Sequence, residues 1–439
     1  MFFLYSTLLT LAFVILLPRF LFDAIFKGKY ADGFFQRLGR LPKFEQDSRP
    51  VVWLHCVSVG EVNAARPLVN GLRSDFPDHR LVVSTTTKTG QKLAADAFAG
   101  QADLVFYFPY DWRFSVRRSL RIIAPRVILL METEIWFNFI REARKDHARI
   151  AIVNGRLSER SYKRYGWIKN FVKRTLRYVE LACMQTNADA KLLMSLGIRA
   201  SKVRVTGNLK FDQDIDVGDE TITAEFRSRF GITPEAPLII AASTHEREEK
   251  WILDAFKTLW KRSSAALPRL MIAPRHPERF AAVTEEIKRS GFDWVRRSEK
   301  SSGRDKTAEV ILLDSIGELR SAYPLAEIVF VGGSLIPHGG QSILEPALRG
   351  KAIITGPHTT NFDAAVKDFL ENQALVQLGE MRDDEVAPVL AEEIVKLLDD
   401  RQQRDLFGQN AGSVMQKNRG ATARTLDHLR AVFERDGTR

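Results

Sequence analysis

Short runs of β-branched and aliphatic residues recur along this chain, separated by stretches with helix-like spacing. VVWLHC (51–56), LVVST (81–85), DLVFYF (103–108), RVILLM (126–131), RIAIVN (149–154), ELACMQ (180–185) and VRVTG (203–207) form a first series. PLIIAAS (237–243), RLMIAP (269–274), EVILLD (309–314), EIVFVGG (327–333), KAIITG (351–356) and ALVQLG (374–379) form a second. Segments such as 63–76 and 158–177 lie between them with helical periodicity. Strand–helix alternation predicts a parallel sheet with helices on both faces. The series pauses at about 208–235, which reads as a linker and a short helix. Two doubly wound, Rossmann-like α/β domains facing a cleft are therefore predicted. The expected boundaries are 23–215, 216–420 and a C-terminal helix at 421–439, preceded by a distinct segment at 1–22.

The length, 439 residues, suits two or three domains. With 45% hydrophobic and 27% charged residues, neither a disordered chain nor a multi-span membrane protein fits. Cys56 and Cys183 are the only cysteines, so a disulfide framework and a Cys-x-x-Cys metal site are excluded. Charge is unevenly placed. Residues 1–210 carry 34 Lys and Arg against 17 Asp and Glu, whereas 211–439 carry 31 against 37. A basic first half attracts nucleic acid, anionic lipid or phosphorylated substrates.

Residues 1–18, MFFLYSTLLTLAFVILLP, contain no charge, with Tyr5, Ser6, Thr7 and Thr10 as mild exceptions to an apolar run. As a helix it would reach roughly 27 Å, near the thickness of a bilayer core. Arg19, Lys27, Lys29, Arg37 and Arg40 follow, and no Lys or Arg precedes them. This charge order predicts a single-span anchor with the body of the chain in the cytoplasm; the other reading of so short a run is a buried helix or an h-region. Pro18 is expected to end or kink the span. The segment 20–41 mixes aromatic and basic residues, as membrane interfaces favour.

In open α/β sheets, ligands bind beyond the carboxyl ends of the strands. Five constellations lie there. In the first, Ser58, Gly60 and Glu61 follow the first run, with a helix expected from about Asn63. Glu61 is either a base that takes a proton from a hydroxyl or an acid favoured by a helix N-terminus. In the second, Glu132 and Glu134 share one side of the chain if it is still extended. They either bind a polar acceptor or pair with Arg156 or Arg160. The nearby stretch 154–165 is basic and hydroxyl-rich, suited to phosphate or carboxylate, with Ser158 also readable as an N-cap.

The third constellation sets Ser243 or Thr244 between a strand and a helix loaded with Glu246, Glu248 and Glu249. It is either capping chemistry or a phosphate site. In the fourth, Arg275, His276 and Arg279 make either an anion site or a structural cluster. In the fifth, Gly332-Gly333-Ser334 ends a strand and Gly339-Gly340 is expected to open a helix containing Glu345. Such glycines let backbone N–H groups approach a phosphate, and the carboxylate suits ribose hydroxyls. GPHTTNF (356–362) is expected to close the same pocket. Asp212, Asp214 and Asp216 lack the context of a metal loop and read as a solvated acidic stretch.

The apolar N-terminus, HCVSVGE, METEIW, NGRLSERSY, TGNLKFD, STHEREE, PRHPERF, DSIGEL and FVGGSLIPHGGQSILEP together resemble the 3-deoxy-D-manno-octulosonic acid (Kdo) transferases of lipopolysaccharide synthesis. The resemblance runs in order to about Phe362. The family's usual His-Asn after the second glycine pair is replaced by Gln341-Ser342. It implies a GT-B glycosyltransferase with an acceptor-binding first domain and a CMP-Kdo-binding second domain. The implied reaction is inverting transfer of Kdo from CMP-Kdo to a lipid A precursor (lipid IVA), more than once, without a metal or other cofactor. The implied place is the cytoplasmic side of the inner membrane, with no nucleic-acid partner.

Under this resemblance Glu61 is the general base. Ser58, Gly60, Glu132, Glu134, Arg156 and Ser158 contact the acceptor. Ser243, Thr244, Arg275, His276, Gly332, Gly333, Ser334, Gly339, Gly340, Gln341 and Glu345 contact the donor. The alternative readings are another membrane-associated GT-B transferase using a UDP-sugar, and a membrane-bound nucleic-acid-binding protein. No helix-turn-helix, RRM or zinc motif supports the last.

Overall fold

The structure, a computed structural model, describes residues 1–27, 33–212, 218–262 and 268–434, with backbone alone at 19–27 and 262. The chain divides into two compact units, Met1–Asp214 with Asn418–Arg439, and Ile215–Lys417.

The first unit is built on a seven-stranded parallel sheet. Its strands are β1 (Val51–Cys56), β2 (Arg80–Thr85), β3 (Leu104–Tyr107), β4 (Val127–Met131), β5 (Arg149–Gly155), β6 (Leu181–Met184) and β7 (Val203–Val205). Their order is β3-β2-β1-β4-β5-β6-β7. Every residue of β1 and of β4 is buried. Strands covered by helices on both faces must be apolar on both, which is why they read as unbroken runs. Two cores result. Trp53, Phe106 and Phe139 fill one face, while Leu54, Val62, Leu68 and Leu129 fill the other.

The second unit repeats the design with β8 (Leu238–Thr244), β9 (Arg269–Pro274), β10 (Trp294–Arg296), β11 (Val310–Leu312), β12 (Ala326–Val331), β13 (Ala352–Thr355) and β14 (Val376–Gln377). The order is β10-β11-β9-β8-β12-β13-β14, again parallel. Strand order reverses between β1 and β4 in one sheet and between β8 and β12 in the other. These switch points open a crevice at the carboxyl ends of the strands. Strand β10 was not anticipated; three residues, two of them Trp294 and Arg296 at half-buried positions, give little apolar signal.

The C-terminal helix Ala421–Glu434 packs on the first unit. Its Leu426, Leu429, Val432 and Phe433 join the core of Val62 and Leu68. Asp212, expected to be solvated, instead caps that helix. Its carboxylate accepts the N–H of Gly420 at 2.6 Å and of Thr422 at 2.5 Å. Asp214 and Asp216 lie outside the described residues.

The N-terminus departs furthest from expectation. One helix, Phe2–Lys27, runs through Pro18 rather than ending there. Among the described residues no helix is long and apolar enough to cross a membrane, so the expected single-span anchor is not supported. Three of the polar exceptions, Tyr5, Ser6 and Thr10, form a docking face. The Tyr5 hydroxyl donates to Asp111 at 2.9 Å, Asn138 donates to the Ser6 hydroxyl at 3.0 Å, and the Trp112 indole donates to Thr10 at 3.1 Å. Phe2 is buried against Phe171, and Phe13 meets Trp112 edge-on at 4.8 Å. The opposite face leaves Phe3, Leu4, Leu8, Leu11, Val14 and Ile15 exposed. Within the expected interfacial segment, Lys29 and Tyr30 lie outside the described residues.

Candidate active site

Each unit gathers ionisable side chains at its switch point. In the first, β1 ends at Cys56 and a helix runs from Val59 to Asp75, four residues earlier than the expected start. Ser58 occupies the N-cap position, Gly60 is exposed, and Glu61 sits in the first turn. The Glu61 carboxylate folds back to accept the Val57 N–H at 2.7 Å and the Ser58 hydroxyl at 3.4 Å. It is buried. Burial, and then repulsion from Glu132, lift its pKa to about 8. A carboxyl with that value exchanges protons near neutral pH, as a general base requires. Glu61 thus sits in the first turn of a helix and is also a tuned acid.

Glu132 leaves the end of β4 with a φ of 57°, so the chain turns and the extended register expected for Glu132 and Glu134 does not form. Glu132 pairs with Arg156, which follows β5, at 2.7 Å. Glu134 is half-buried, and burial, then Glu132, raise its pKa. Ser158 is exposed and caps the helix Glu159–Trp167 by accepting the Ser161 N–H at 3.2 Å, so its observed role is the capping one. Lys210 was not singled out, although it lies in the TGNLKFD motif. Burial lowers its pKa, Glu132 and Glu61 pull it back up, and Arg156 lowers it further. The cluster is thus three carboxyls with two cations. His55 belongs to the core instead. It stacks on Phe108 at 3.8 Å, and burial holds its pKa near 3.

In the second unit, the expected phosphate cradle needs correction. The N–H groups of Gly332, Gly333 and Ser334 are already donated, to Ala242 O at 2.8 Å and to the Glu248 carboxylate at 2.7 and 3.1 Å. The Ser334 hydroxyl donates to Val331 O. The second glycine pair does not open a helix either, because the next one is the short segment Leu344–Leu348. Gly339 and Gly340 have φ of 102° and 76°, and a Cβ on Gly339 would lie 2.7 Å from Asn361 and Thr360. Their role is close packing. The Asn361 N–H donates to Gly339 O at 2.9 Å, and its amide side chain to Gly340 O at 3.2 Å. The 356–362 loop therefore packs on the glycine loop.

Side chains offer what the backbone does not. His245 lies under His338 with ring centroids 4.1 Å apart, and His276 lies 5.4 Å away. The Gln341 amide meets His245 Nε2 at 3.0 Å. Burial, and then His338, His276, Arg275 and Arg279, lower the pKa of His245 to about 4. Arg275 and His276 are exposed beside it. An anion placed here would relieve that cationic repulsion. His245 and His338 were missed. Their signal was faint, since STHEREE and LIPHGG show one imidazole each. Ser243 has a φ of 54°, and the Thr244 hydroxyl donates to Glu249 at 3.1 Å. Glu345 pairs with Arg320 at 3.2 Å.

Known proteins resemble this chain in sequence and in fold. A sequence model of the family described as 3-Deoxy-D-manno-octulosonic-acid transferase (kdotransferase) matches residues 32–213. The 3-deoxy-D-manno-octulosonic acid transferase of Haemophilus influenzae is 35% identical over 385 residues, 88% of each chain. That of Bordetella pertussis is 32% identical over 384 residues, 86% of each. Among solved structures, a putative UDP-N-acetylglucosamine 2-epimerase from Listeria monocytogenes aligns with TM-score 0.58 at 15% identity, covering 88% of this chain and 97% of its own. A glycosyltransferase from Rickettsia africae gives 0.57 at 12%, covering 89% and 100%. These two show the fold, which is like that of GT-B glycosyltransferases. The sequence relatives show more, and on their evidence the chain belongs to the Kdo transferases, a family of glycosyltransferase enzymes.

Proposed function

We propose that this enzyme transfers Kdo from CMP-Kdo to a sugar hydroxyl of a lipid A precursor, lipid IVA, with inversion at the anomeric carbon, and that it adds more than one residue. The observation that carries the reading is the buried Glu61 carboxyl at the first switch point, tuned to about 8 beside Glu132, Arg156 and Lys210. Glu61 takes the proton of the acceptor hydroxyl as that oxygen attacks the anomeric carbon. The bond to the cytidylate phosphate breaks, and CMP leaves with the electron pair. A phosphate leaving group needs charge stabilisation more than a strong acid. Arg275, His276 and the His245–His338 pair supply it in the second unit, and Glu345 holds the ribose. Lys210 and Arg156 meet acceptor phosphate, Arg156 while paired with Glu132.

The proposed place of action is the cytoplasmic face of the inner membrane. Support comes from the exposed apolar stripe of the helix Phe2–Lys27, continued by exposed Phe114 beside Trp112. Arg118 lies over the Phe114 ring at 5.8 Å, and Arg113 and Arg117 neighbour it in sequence. An exposed apolar face of this size suits contact with lipid, and basic residues add attraction to anionic lipid. Purified enzyme incubated with a CMP-Kdo-generating system and tetra-acylated lipid A precursor tests the reading by mass spectrometry. Competition by CMP but not UDP separates CMP-Kdo from a UDP-sugar donor.

A further inference from the structure

The glycine loop after β12 already holds a carboxyl group, and that group is part of the chain: Glu248, whose pKa burial lifts to about 7 against the pull of the N–H groups it accepts. Glu248 is fully buried. Its Oε2 accepts the N–H of His245 at 2.9 Å and of Gly333 at 2.7 Å, and its Oε1 accepts those of Ser334 at 3.1 Å and Leu335 at 3.0 Å. Successive backbone N–H groups converging in this way form the kind of nest that elsewhere binds phosphate. Gly332 makes the room, because a Cβ there would lie 2.6 Å from Ser243 O and 3.0 Å from the Glu248 carboxylate.

This is more than a first-turn acid on the helix Glu248–Arg262. Three of the four donors come from residues 85 to 87 positions away. The loop they belong to closes on itself, with Gly340 N–H donating to Gly333 O at 2.7 Å and Gln341 N–H to Gly332 O at 3.1 Å. Seating Gly333–Leu335 therefore seats His338 and Gln341, and the fourth donor seats His245.

We infer that Glu248 is a positioning residue: its carboxylate fills the loop's anion nest and thereby holds His245, His338 and Gln341 as the side-chain site for the donor's phosphate. This rests on the donor reading above. It also explains why the phosphate is met by side chains and not by glycine N–H groups.

Two variants test it. E248Q keeps the shape but presents an NH₂ group to two N–H donors, which leaves them unsatisfied. Its KM for CMP-Kdo should rise about tenfold or more while kcat changes within about threefold. E248A deletes a group that acetate can replace. Acetate added to E248A should lower the KM toward that of the wild type and raise the thermal midpoint, with no such effect on the wild type. A folded E248Q with wild-type KM overturns the inference. So does a raised KM in E248A that acetate leaves unchanged, since lost packing alone would then be responsible. If the wild type transfers no Kdo, the donor reading fails instead. The acetate effect on the E248A midpoint then still decides whether an anion seats the loop, and its absence overturns the inference.

Discussion

Glu61 has a carboxyl raised from an ordinary 4.5 to about 8, chiefly by burial. Only its ionised form can take a proton, so kcat/KM should climb with pH through about 8 and level off above. The pH–rate profile checks this. E61Q should lose at least about 10²-fold in turnover, the low end for a lost general base. The sign for stability is opposite. A raised carboxyl pKa contributes stability below the unfolded value, and that contribution is lost as pH rises through the folded value. E61Q should therefore melt above the wild type at about pH 9, with the gap closing toward about pH 4. Thermal melts across that range read it. Lys210 lowers the cost of ionising Glu61, so K210M should shift the rate limb to higher pH. An unshifted limb would remove Lys210 from this cluster. Glu61 was legible because its motif follows a strand. Lys210 was not, since a lone lysine in a linker looks solvated until the fold brings Glu132 to it.

At the scale of elements, the strands were legible almost throughout. Burial on both faces forces apolar residues at every position, and β1 and β4 show this plainly. Loops were less so, because their partners are far away in sequence. The Gly332–Ser334 loop reads as a phosphate cradle until Glu248 is placed in it. G332A should destabilise by ~1–3 kcal/mol, as overpacking does, since its Cβ would strike Ser243 O and Thr244 Cα; denaturant unfolding measures it. The N-terminal helix shows the same limit. Its hydroxyls looked like blemishes in a span, yet Tyr5 finds Asp111, 106 residues on, and Ser6 finds Asn138, 132 residues on. Replacing Phe3, Leu8 and Leu11 by Ser should weaken co-sedimentation with anionic vesicles while leaving the thermal midpoint nearly unchanged. Unchanged sedimentation would separate the exposed stripe from membrane binding.

At the scale of the whole molecule, two similar sheets carry two different chemistries. The first unit collects carboxyls with cations to balance them, and the second collects imidazoles and guanidiniums around an internally satisfied loop. That division of labour suits an acceptor that must lose a proton and a donor that must lose an anion. The most direct measurement is the mass of the product formed from tetra-acylated lipid A precursor and a CMP-Kdo-generating system. The account predicts an increase by more than one Kdo residue, abolished in E61Q. An unchanged precursor, with CMP bound and the wild-type enzyme folded, would contradict it.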